Sequence, residues 1–87
     1  MRGLSPEQVL MLADDFCSTC NATINDFAAI AAIAAVTTAS FEGTSPFSSS
    51  AQQSEYLRSF VPRVSPLTRG NESFGIFLSR VLKDLNA

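Results

Sequence analysis

Three observations predict an all-α fold. Apolar residues recur at three- and four-residue steps through each organised stretch, the period of one helical face. No run alternates apolar with polar side chains, and no Asn-Gly pair marks a hairpin. Two Ser-x-x-Gln sequences, Ser5–Gln8 and Ser50–Gln53, each stand where a helical pattern opens. At 87 residues the chain is expected to form a single small domain over 1–87. A domain of that size buries roughly 60–65% of the surface its unfolded chain exposes.

The first element opens with Ser5 as cap and Pro6 in the first helical position, where its missing N–H costs nothing. Val9, Leu12, Phe16, Cys20, Ile24, Phe27, Ala31 and Ala34 then follow at helical spacing. Asp14, Asp15, Ser18, Asn21 and Asn25 fall on the other side, which should face water. Neither glycine nor proline interrupts residues 7–42. The pattern therefore fits one long N-terminal helix from about 6 to 40, or two helices broken near 23–26 with Asn25 or Asp26 capping the second. Unbroken periodicity favours continuity; compactness favours the break.

Residues 42–50 read as a loop by composition, with Gly43 placed to end a helix. Tyr56, Leu57, Phe60 and Val61 form the apolar stripe of a shorter helix that Pro62 is expected to close. After an irregular stretch, Thr68 or Asn71 can cap a last helix whose broad apolar face is Phe74, Phe77, Leu78, Val81, Leu82 and Leu85. The expected core joins this face and Leu57 and Phe60 to Phe16, Cys20, Phe27, Ile30, Ala31 and Ala34.

The run from Phe27 to Val36 is the most distinctive segment. It holds ten residues without a polar side chain, six of them alanine. A helix apolar all round demands cover on every side, and alanine lets another backbone approach closely. A small chain supplies limited cover, so a partner chain is expected at Phe27, Ala28, Ala31, Ala32 and Ala35. The uncharged stretch Phe27–Phe41 spans 15 residues, short of the roughly 20 that a bilayer core requires. No membrane span is therefore expected. The start of the chain lacks the apolar core of a secretory leader, and a cytoplasmic location is expected.

Charge is unevenly divided. Residues 1–56 hold one arginine against six carboxylates, and residues 57–87 hold five cations against two. The simplest consequence is that the halves fold together, Arg58 and Arg63 pairing with the acidic first helix. The alternatives are head-to-tail self-association and a basic surface for an anionic partner. Five scattered cations are a thin basis for nucleic-acid binding, which clustered Lys and Arg dominate. Arg58, Arg63 and Arg69 lie near Tyr56 and Phe60 in sequence, and arginine both stacks on rings and forks onto carboxylate or phosphate. These three arginines join the candidate interface.

No catalytic residue emerges. Histidine is absent, so the serines at 45 and 48–50 have no evident activating base, and the four glycines are isolated instead of forming a phosphate loop. Cys17-Ser18-Thr19-Cys20 is a C-x-x-C sequence, but it lies deep inside a predicted helix, far from the N-terminus that would lower a thiol pKa. Both thiols are expected to be structural, reduced and unmetallated, with Cys20 at the centre of the apolar stripe and Cys17 at its edge. A four-thiolate zinc site would need two chains. Asn21-Ala22-Thr23 and Asn71-Glu72-Ser73 match the glycosylation acceptor pattern, which is short enough to recur by chance. No cofactor is expected.

The sequence thus points to a non-enzymatic helical protein–protein interaction module, self-associating or a small subunit. One alternative is a small inhibitor or adaptor, of the kind phages encode, that blocks a target surface. A second is a weak nucleic-acid binder using the basic C-terminal half.

Overall fold

The computed structural model describes residues 2–38 and 49–86. Among them the fold is all-helical: α1 (Pro6–Cys20), α2 (Phe27–Thr37), α3 (Ser50–Val64) and α4 (Asn71–Leu85). Each helix packs on the next in sequence. Phe16 closes the bundle by setting its ring 5.1 Å from Phe74 and 5.9 Å from Phe77. Val9, Ile33, Leu57, Val61, Phe74, Leu78 and Leu82 are completely buried between the helices.

The first element is not continuous. Asn21 takes the left-handed conformation (φ 54°), and its N–H donates to the Cys17 carbonyl, ending α1. Asparagine adopts this conformation more readily than most residues. The chain then runs extended, and its polar backbone groups find partners in the α3–α4 connection. Asn25 N–H donates to Pro66 O at 2.7 Å, Thr68 N–H to Thr23 O at 3.0 Å, and Thr23 N–H to Thr68 Oγ1 at 3.0 Å. Asp26 starts α2 by accepting from Ala29 N–H, one of the two caps anticipated. The break stands because another loop satisfies it, a long-range fact that local periodicity does not carry.

The break also resets helical phase. Ala29, Ile30, Ile33, Ala34 and Thr37 of α2 turn inward. Phe27 and Ala31, expected in the core, turn outward, with Phe27 66% exposed. α2 ends at Thr37, earlier than the expected 40. Gly43 and residues 42–48 of the expected 42–50 loop lie outside the described residues, and Ser50 belongs to α3.

Three further boundaries differ from expectation. α3 is capped by Ser49, whose Oγ accepts from Gln52 N–H, one residue before the anticipated start. Pro62 sits inside α3, which continues to Val64. α4 has Gly70 at its cap position without a side-chain bond. Asn71 instead clasps Leu67, accepting from its N–H and donating to its carbonyl.

At the opposite end of the bundle an N-terminal arm ties three elements. Arg2 and Asn86 exchange two hydrogen bonds (2.6 and 2.9 Å), and Leu4 N–H donates to the buried Thr37 hydroxyl at 2.8 Å. Gln53 of α3 donates from Nε2 to the carbonyls of Val36 and Thr37, fixing α3 against the end of α2. The capping box at Ser5 and Gln8 forms as predicted.

Candidate interaction face

The outer side of α2 is uncharged and largely bare. Phe27, Ala28, Ala31 and Ala35 are exposed and Ala32 is half-buried. At 100° per residue the four exposed side chains fall within about 100° of one another on the helix. The single chain thus leaves uncovered the side of the alanine run where a partner chain is expected. The chain buries one side of α2 and leaves the other in water, because α1 and α3 flank the helix and no described element lies over it.

α2 lies between two edges of opposite character. On the α1 side a shallow groove of about 190 Å³ is lined by Pro6, Glu7, Leu10, Phe27, Ile30 and Ala31. Glu7 thus borders the exposed alanines directly. Asp14, seven residues on, shares its side of α1 and is exposed. On the α3 side, Gln53 reaches the end of α2, and Tyr56, Phe60 and Arg63 follow Gln53 along the same helical side. The Tyr56 and Phe60 rings stack at 5.8 Å, and Arg63 is exposed.

The three arginines of the predicted interface are not brought together. Arg63 belongs to the α2-facing edge of α3. Arg58 is on another side of that helix, in a cleft of about 320 Å³ between α3 and α4, with Glu55, Ser59, Pro62, Glu72 and Ile76. Its guanidinium pairs with Glu55 at 3.7 Å, the one ion pair closed among the described residues. Arg69 is exposed in the α3–α4 connection. The expected neutralisation of α1 by Arg58 and Arg63 is not found: Glu7, Asp14 and Asp15 are exposed and no cation meets them among the described residues.

The C-x-x-C pair occupies the last turn of α1, and its burial is the reverse of the expected order. Cys17 is 8% exposed and belongs to the core, whereas Cys20 is half-buried. Burial pushes the Cys17 thiol up from its ordinary value, and Asp14 and Cys20 add to the rise. Such a thiol is a poor nucleophile near neutral pH. No group of three His, Cys, Asp or Glu side chains suited to a metal ion occurs among the described residues. None of the described helices is long and apolar enough to cross a membrane.

Sequence reasoning missed Leu10 and Met11 as surface features. Met11 is 69% exposed despite its neighbours in the core pattern. Its place on the acidic side of α1, four residues from Glu7 and from Asp15, was the available signal. No protein-family model, curated protein or solved structure matches this chain.

Proposed function

We propose that this protein is a non-enzymatic helical interaction module whose contact face is the outer side of α2, acting as a self-associating chain or as a small subunit. The observation carrying this reading is the exposure of Phe27 at the head of an uncharged helical face with Ala28, Ala31 and Ala35. A contiguous apolar face rimmed by polar groups in a small protein marks a contact surface. Alanine supports a close backbone approach there, and the single exposed ring supplies an anchor. The free thiols fit work in a reducing compartment, the cytoplasm.

The test is Ala31→Arg. The site is exposed, so the variant should retain its helical circular dichroism, while the native mass measured by sedimentation should fall or a co-purifying partner should be lost. An unchanged assembly state in Ala31→Arg would sink the reading. A second reading, an inhibitor that presents its acidic α1 to a cationic target, draws on Glu7, Asp14 and Asp15, which are exposed and meet no cation among the described residues. It predicts that Asp14→Asn and Asp15→Asn, not Ala31→Arg, abolish target capture.

A further inference from the structure

We propose that the occupant of the α2 face is a second copy of this chain, in a two-fold pair that runs the α2 helices parallel and sets Asp14 of each copy against Arg63 of the other. The inference rests on the contact-face reading and adds partner, symmetry and direction. Three strips compose the face: an acidic edge (Glu7, Asp14) on α1, an uncharged floor (Phe27, Ala28, Ala31, Ala35) on α2, and an aromatic and cationic edge (Tyr56, Arg63) on α3.

Such a face is charge-complementary to itself in one arrangement. For two copies to meet face to face, the two-fold axis lies in the plane of contact. An axis running across α2 would make the helices antiparallel and bring acidic edge onto acidic edge, so the Glu7 and Asp14 carboxylates of one copy would confront those of the other. An axis running along α2 keeps the helices parallel and carries the α1 edge of each copy onto the α3 edge of the other. Height supports the pairing. Leu4, just ahead of α1, and Gln53 of α3 both hydrogen-bond Thr37 at the end of α2, and Asp14 and Arg63 each lie ten residues beyond them along the chain. Both edges are free to take part: Asp14 and Arg63 are exposed, and neither joins the ion pair between Arg58 and Glu55. The four floor residues themselves carry no charge, and the alanines let the two helix backbones close to short range.

The experiment compares wild type, Asp14→Arg, Arg63→Asp and the double variant by sedimentation equilibrium, with circular dichroism confirming equal helicity. Expected is a wild-type dimer whose dissociation constant rises by about tenfold or more in each single variant, because each reversal places like charges at both symmetric contacts. The double variant should recover to within about threefold of wild type, since the pairs are re-formed with exchanged signs. Both single-variant effects should shrink in high salt. A wild-type monomer throughout the accessible concentration range overturns the proposal. A dimer broken by Ala31→Arg but indifferent to both reversals overturns the parallel arrangement while leaving the contact face standing. Single variants that weaken without recovery in the double variant also overturn it.

Discussion

Gly75 of α4 packs against the main-chain carbonyl of Arg58 in α3: a Cβ at position 75 would lie 2.8 Å from that oxygen. The carbonyl belongs to the residue four before Pro62, which has no N–H to return to it. This close approach of α4 to α3 therefore falls where α3 lacks an internal hydrogen bond. A glycine is what the crossing requires, and Val61 and Pro62 also stand within 3.3 and 3.5 Å of the same added carbon.

Gly75→Ala should consequently destabilise the fold by about 1–3 kcal/mol, since overpacking against rigid backbone outweighs the gain of about 1 kcal/mol in helix propensity. Urea unfolding should show a lower midpoint with an unchanged slope. A midpoint equal to or above wild type would mean that α4 can shift without loss.

The N-terminal arm makes a second demand. The Thr37 hydroxyl accepts from Leu4 N–H at 2.8 Å and lies within hydrogen-bonding distance of the Leu4 and Ala34 carbonyls. Thr37→Val keeps the shape and leaves Leu4 N–H unsatisfied in a buried site, a loss of about 1–3 kcal/mol. Amide exchange at Leu4 should accelerate more than exchange in the middle of α1. Uniform acceleration would show instead that the arm is held by other contacts.

Ser54 offers the opposite sign. It is fully buried, and its Oγ has no hydrogen-bond partner among the described residues. Ser54→Ala removes an unsatisfied hydroxyl and improves helix propensity, so stability should rise by about 0.5–2 kcal/mol. A loss on thermal or urea unfolding would reveal that the hydroxyl contributes through packing.

The two thiols should label at different rates under native conditions, Cys20 first, following their exposure. The raised Cys17 pKa also fixes a direction for pH. The folded state favours the protonated thiol, so its contribution is intact below the ordinary thiol value of 9.0 and is lost as pH rises through that value toward the folded pKa. Thermal stability should therefore decline above about pH 9 in the wild type, and the part due to Cys17 should disappear in Cys17→Ala. Equal labelling rates for the two thiols would contradict the buried position of Cys17.

Much of the helical content was legible in local chemistry. The Ser5 capping box, the Asp26 cap, and the apolar stripes of α3 and α4 all act over a few residues. Local pattern accordingly placed Leu57, Phe74 and Leu78 in the core, where they are buried. The α2 face was read in part: the alanine run was singled out, but not which of its sides would stay bare. Arg58 was grouped with Arg63 by closeness in sequence, whereas five residues along a helix turn them about 140° apart at 100° per residue.

The sequence by itself determined helix type, the capped start at Ser5, and the apolar faces of α3 and α4, because each depends on side chains within one or two turns. Tertiary structure alone decided the break after Cys20, the exchange of Cys17 and Cys20 between core and edge, and the outward turn of Phe27 and Ala31. The break and the outward turn both depend on the hydrogen bonds that residues 23–26 make with residues 66–68 across the bundle. Those bonds stabilise an extended segment whose backbone a continuous helix would otherwise have claimed. Once the segment is extended, the helical phase of everything after it is set by the docking of two loops, and the three- and four-residue spacing of Phe16, Cys20, Phe27 and Ala31 no longer describes a single face.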